Sequence, residues 1–277
     1  MGVLNVTPDS FSDGGRYAAP ADAIAHGLTL LDEGADILDV GGESTRPGVA
    51  TLGDTGDRPF VSAEEELDRI LPVIEAIHAQ RPKAVISVDT YKSQVARAAL
   101  DAGAEIVNDV SGFLWDRAMA STCAGLHCGV VLMHTHGRPR EWKTQGPVAD
   151  MVGEVEHDLA NRVQTAFGAG VERDRIVLDP GFGFGKNHDE NYSLQADFGR
   201  FHRMGFPLLA GASRKSFLAR MIAQRIGREV SPTERLYGSL AAMTACILQG
   251  AHIVRVHDVK PSVEAAAVAD AIVAVSE

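Results

Sequence analysis

EGADILDVGG (33–42) decides the fold. A glycine at position 34 sits where a helix should stop, because a left-handed residue at a helix end escapes the Cβ penalty only if it is Gly. Two residues later an aliphatic run begins, DILDVG (36–41), too short for a helix and right for a buried strand. The run closes on a carboxylate and a glycine-rich turn. Helix stop, strand and polar strand end therefore follow one another with almost no linker.

The same junction recurs at AGAE (102–105), AGVE (169–172) and QGAH (249–252), so Gly103, Gly170 and Gly250 read as further helix stops. Outward from these, short apolar runs appear at GVLN (2–5), DILDVG (36–41), AVISVD (84–89), AEIVND (104–109), GVVLMH (129–134), RIVLDP (175–180), FPLLAG (206–211) and HIVRVH (252–257). Longer stretches with helical spacing separate them. In SAEEELDRILPVIEAIHAQ (62–80), Ser62 and Glu65 form a capping-box pattern, and Leu67, Ile70, Leu71, Ile74 and Ile77 make one apolar stripe. Pro72 interrupts that stripe and predicts a kink.

Eight strands alternating with helices imply parallel pairing through right-handed crossovers. Near-continuous apolar strands imply a sheet covered on both faces. An open doubly wound sheet also satisfies this, but no GxGxxG follows the first strand, and eight units match a closed barrel. The sequence thus predicts a single (β/α)8 TIM barrel, one domain over 1–277.

Composition sets limits. With 45% hydrophobic and 23% charged residues the chain has a globular make-up, and no apolar run is long enough to span a bilayer. The opening apolar run is short and lacks a basic leader, the pattern expected of a cytoplasmic protein without a secretory signal. A net charge of −11 argues against nucleic-acid or anionic-membrane partners. Any bound anion must be held by a local cluster. Cys123, Cys128 and Cys246 are too few and too unevenly spaced for a disulfide framework or a CxxC metal site, so buried reduced thiols are expected.

In a barrel of this kind the site lies at the carboxyl ends of the strands. Here those ends carry, in order, Asn5, Asp39 with GGESTRPG, Asp89, Asn108 with Asp109, His134, Asp179, SRK (213–215), and Arg255 with His257. One such aspartate alone is most simply a cap; eight polar ends converging on one rim are not. Asp89 and Asp179 suit hydrogen-bond donors on a planar heterocycle. Arg46, Lys215, Arg255 and His257 form a cationic set in an acidic chain, and Arg255 and His257, two apart on a strand, face one way and suit an anion. The glycine-rich DPGFGFGK (179–186) is weak evidence by itself. His134 and His136 in MHTHG share a face, and with no HExxH or adjacent carboxylate pattern a structural role is expected over metal ligation.

At this point MGVLNVTPDSFSDGG, DVGGESTRPG, SVDTYK, IVNDVSG, VLMHTHG, LDPGFGFGKN, GASRKSF and IVRVHDV resemble the dihydropteroate synthases, pterin-binding enzymes of folate synthesis, over nearly the whole chain. The resemblance implies condensation of 6-hydroxymethyl-7,8-dihydropterin diphosphate with p-aminobenzoate, releasing pyrophosphate. It implies that Asp89, Asn108, Asp179 and Lys215 grip the pterin, and that Met133 is a substrate-binding residue. Thr45 would help bind the diphosphate, and Arg255 with His257 its β-phosphate. Ser213, Arg46 and Phe182 would position the benzoate. Asn5 would coordinate Mg²⁺, an ion that keeps most of its waters and takes few protein oxygens. Asp89, Asp179 and Lys215 are the implied catalytic groups, acting in a dissociative substitution at the pterin methylene. A homodimer through the last helices is also implied.

Two departures from the family pattern stand out. Family members usually carry a segment before the first strand, whereas this chain starts inside that strand, so upstream residues are expected. The stretch VATLGDTGDRPFVS (49–62) is longer than the usual link. TPDSFSDGG is expected to be a mobile loop ordered by substrates. Three other readings remain at this stage: a Schiff-base lyase using Lys215, a folate-dependent methyltransferase module serving a corrinoid partner, and a paralogue that only binds.

Overall fold

The computed structural model describes residues 1–7, 15–44, 50–51 and 60–275, with side chains of the first helix described from Pro20 onward. Among them the chain alternates β1 (Gly2–Asn5), α1 (Gly15–Asp32), β2 (Ile37–Gly41), α2 (Ala63–Gln80), β3 (Val85–Asp89), α3 (Ser93–Asp101), β4 (Ile106–Asp109), α4 (Met119–Leu126), β5 (Gly129–Met133), α5 (Met151–Ala169), β6 (Ile176–Asp179) and α6 (His188–Ala196). Then come β7 (Leu209–Ala210), α7 (Ser216–Ile226), α8 (Leu236–Leu248), β8 (Ile253–Val254) and α9 (Val259–Ala274). Strands β1 to β6 pair in sequence order, all parallel, and β7 pairs β8.

Two further bridges close the ring. Leu178 pairs with Leu208, and Gly2 with Val256, where Val3 N–H donates to Val256 O and Val256 N–H to Met1 O, each at 2.9 Å. An open sheet would leave β1 and β8 as edges; their pairing makes the barrel that the eight units predict.

The junction glycines do what their positions require. Gly34 has φ +102° and Gly250 φ +89°, and Gly103 and Gly170 are also left-handed. Helix α2 starts as expected, with Ser62 Oγ accepting the Glu65 N–H at 3.1 Å, but the Glu65 carboxylate pairs with Arg69 and so does not complete the box. The helix runs through Pro72 from Ala63 to Gln80 without interruption, burying Ile70, Ile74 and Ile77. Among the described residues no helix is long and apolar enough to cross a membrane.

Barrel strands place every second residue inside. Ile37, Ile106, Val177 and Ile253, one from each even strand, pack together with Met1, Val131 and Leu209 in the barrel interior. This is the layered filling expected of such a barrel, four side chains from alternate strands. Two residues further along the same four strands stand Asp39, Asn108, Asp179 and Arg255. An apolar layer thus gives way, within one pleat, to a layer of charge and amide.

Candidate active site

That polar layer is tightly wired. One oxygen of Asp39, wholly buried, accepts Nδ2 of Asn108 at 3.1 Å and Nε of Arg255 at 2.6 Å. The other arm of Arg255 reaches Asp89 at 2.7 Å. A carboxylate only accepts, so the Asn108 amide must turn its nitrogen to Asp39, which leaves its oxygen for an incoming donor. On the far side Asp179 Oδ1 accepts the Gly181 N–H at 2.7 Å. Sequence reasoning placed Asp39 at the rim but gave it no task; the structure makes it the anchor of two implied site residues.

Burial governs the charges. It raises Asp89 to about 7 against the pull of Arg255, with Asp39 adding to the rise. It raises Asp179 to about 6 despite the Gly181 N–H and Lys215. Lys215 is lowered to about 8, by burial and by Arg255, while Asp179 and Asp89 hold it up. Its ammonium lies 3.8 Å from the centre of the Phe184 ring, a cation–π contact. Met133, Tyr91 and Val110, with Trp115 and Phe184 against them, form an apolar wall beside the polar layer.

Three expectations need correction. Phe182 is 1% exposed, stacked 6.2 Å from Phe198 and tilted 6.3 Å from Phe217, so it belongs to the core and offers the mouth no face. Phe184, two residues on, is the aromatic at the mouth; within FGFG the sequence could not say which ring turns inward. Ser213 is occupied, its Oγ 3.2 Å from the His257 backbone N–H and 3.1 Å from His257 Nδ1, instead of free for a benzoate. His257 is no cation: burial, then Arg255, Arg214 and Lys215, lower it to about 3. Ser213 Oγ keeps a second lone pair beyond the backbone N–H, so the hydroxyl serves either tautomer of this neutral ring at Nδ1.

Asn5 is exposed at the end of β1 and shares a cleft of about 650 Å³ with His257, Arg214 and Asp258. Thr45, Arg46, the 8–14 part of the first loop and the 52–59 part of the long link lie outside the described residues. The stem leading to Thr45 is fixed by Glu43, which accepts Tyr91 OH at 3.0 Å and Lys92 Nζ at 2.5 Å, Lys92 also meeting Glu66. The two histidines part company. His134 is wholly buried, 3.4 Å from Asp158, while His136 pairs with Glu154 at 2.7 Å.

Acceptors in a dry floor, an ammonium and a guanidinium at its edge and an apolar wall define an enzyme that holds a flat, donor-rich ring at a barrel mouth. The family described as pterin binding enzyme matches residues 1–257. The dihydropteroate synthase of Escherichia coli K12 is 44% identical over 277 residues, all of this chain and 92% of that protein. Among solved structures, Xanthomonas albilineans dihydropteroate synthase with 4-aminobenzoic acid superposes with a TM-score of 0.86 at 43% identity, covering 98% of this chain and 92% of that one. The same organism's enzyme in complex with 7,8-dihydropteroate gives 0.83 at 41%, over 98% and 92%. The chain belongs to the pterin binding enzyme family and, within it, to the dihydropteroate synthases, transferases of folate biosynthesis. With this the lyase, methyltransferase-module and binding-only readings fall away.

Proposed function

We propose that the mouth joins 6-hydroxymethyl-7,8-dihydropterin diphosphate to p-aminobenzoate by a dissociative route. The observation that supports it best is the polar layer of Asp39, Asn108, Asp179 and Arg255 above an apolar one, with Asp89 alongside. Asp89, Asp179 and the Asn108 oxygen accept from the ring's amino and N–H donors. Once the ring takes Asp89, the Arg255 arm now bound there is released toward the diphosphate, while Asp39 keeps the other arm.

The bond between the pterin methylene and the bridging oxygen then breaks, and its electron pair leaves with pyrophosphate. The resulting cation spreads into the ring, where Asp89 and Asp179 oppose it with negative charge in a dry site. The arylamine nitrogen of p-aminobenzoate attacks and loses its proton; being nucleophilic while neutral, it needs no strong base. Arg255 and the neutral imidazole of His257 meet the leaving phosphate, the group the family resemblance also assigns to Thr45. Lys215 supports the ring, and the Met133 and Phe184 wall takes the benzoate, where a sulfonamide would compete.

Asn5 fits Mg²⁺ by its chemistry, a neutral carboxamide oxygen in the cleft with His257. Mg²⁺ is an ion held chiefly by substrate phosphates and water, so one protein oxygen suffices in this reading. When bound, the ion would neutralise charge on the leaving group. Pairing of two copies is also part of this reading, since Met221, Tyr237 and Val268 stand exposed on α7, α8 and α9 at 48%, 84% and 63%. A coupled pyrophosphate assay with both substrates, with and without Mg²⁺, tests the function: no pyrophosphate from the pterin diphosphate and p-aminobenzoate together under either condition rules it out.

The same charges set a pH dependence. Asp89 must be ionised to accept, so kcat/KM rises as pH climbs through about 7. Lys215 must be protonated to stay a cation, so it falls again above about 8. A narrow bell for the free enzyme is expected; a flat profile from pH 6 to 9 would contradict it.

A further inference from the structure

Arg214 stands in the middle of the SRK turn and has a left-handed backbone, φ 58°, a conformation costly for any residue with a Cβ. Strain of this sort persists only where the surroundings over-determine it, and it gathers at functional sites. The surroundings here are unusually complete. The Arg214 N–H donates to Ser239 Oγ at 2.9 Å, and its carbonyl accepts Arg235 Nη1 at 2.8 Å. Its guanidinium grips Asp258 with two bonds, Nε to Oδ2 at 3.0 Å and Nη2 to Oδ1 at 2.5 Å. Asp258 makes no side-chain cap bond to α9, so this pairing is its visible task.

The residues on either side of Arg214 go separate ways. Ser213 turns to the ring and backbone N–H of His257, while Lys215 runs over the Phe184 ring. The strands cannot enforce this by themselves, because β7 and β8 pair over only Leu209–Ile253 and Ala210–Val254. We propose that Arg214 is a positioning residue: held left-handed by Asp258, Ser239 and Arg235, it aims Lys215 into the mouth and Ser213 at His257. The idea rests on the reading of Lys215 and His257 given above.

Four variants test it. R214A loses the guanidinium grip and keeps the Cβ penalty of the left-handed region; kcat/KM for the pterin diphosphate should drop at least tenfold, and the alkaline limb near pH 8 should move. R214G also loses the grip but adopts positive φ freely, so it should recover at least threefold over R214A. D258N, which keeps the shape and weakens the grip, should lose threefold to tenfold and remains informative if R214A does not fold. Wild-type kcat/KM and an unmoved limb in R214A or D258N, with only the melting temperature lowered, would overturn the proposal. So would R214G no better than R214A. K215A separates the two levels: if it is fully active, the assigned role of Lys215 fails; if it is crippled while R214A is normal, only the role of Arg214 does.

Discussion

Arg255→Ala should cost at least a hundredfold in turnover, about 3 kcal/mol of transition-state stabilisation. The guanidinium is the only cation hydrogen-bonded to Asp39 and Asp89 among the described contacts. Without it two carboxylates face each other in a buried floor, where like charges close together cannot both ionise. Asp89, already raised to about 7, then rises further and is protonated at the working pH. The ring loses an acceptor, the cation loses its counter-charge and the leaving phosphate loses a donor. The rising limb of the pH profile should shift upward together with the drop in rate, measured by pyrophosphate release from pH 6 to 9. Arg255→Lys should recover little, since one ammonium cannot span Asp39 and Asp89 as the forked guanidinium does.

Gly181→Ala should destabilise the protein by about 3–5 kcal/mol, the sum of left-handed strain and overpacking against backbone. Gly181 has φ +71°, and a Cβ there would lie 1.9 Å from the His134 carbonyl oxygen. Neither side can yield. Lys186 Nζ donates to Gly181 O at 2.7 Å and to the His134 and Phe184 carbonyls at 3.3 Å, pinning the β5 and β6 loops together. Because the Gly181 N–H also holds Asp179, activity should fall with stability. Urea unfolding reads the effect, and Gly125→Ala is the control. Nothing lies within 4 Å of a Cβ at Gly125, in the last turn of α4, so that change should be neutral or stabilising by up to about 1 kcal/mol.

The barrel was legible because its grammar is local. Gly34 or Gly250 stops a helix and a few aliphatic residues make a strand, while the placing of Ile37 in an apolar layer and Asp39 in a polar one emerges only in the closed barrel. The mouth was legible only as a set of residue types. Which partner each group takes depends on distances across the barrel, and Asp39 meets Arg255 across 216 residues of chain. Phe182 and Phe184 are two apart, which in an extended strand would place them alike. Glycines at 181, 183 and 185, all with positive φ, turn the segment so that one ring enters the core and the other the mouth. His257 counted as a cation by residue type, and only its burial among Arg255, Arg214 and Lys215 makes it neutral. Lys186 carried no signal at all, because a lysine serving three backbone carbonyls looks in sequence like any surface lysine.

The central claim is that this mouth stabilises a pterin methylene cation formed as pyrophosphate leaves. Positional isotope exchange tests it most directly, with the pterin diphosphate labelled at its bridging oxygen and incubated with enzyme and Mg²⁺ but no p-aminobenzoate. Scrambling of the label between bridging and non-bridging positions, lost in Asp89→Ala, is the predicted result. Strict retention, with pyrophosphate release only when p-aminobenzoate is present, would contradict it.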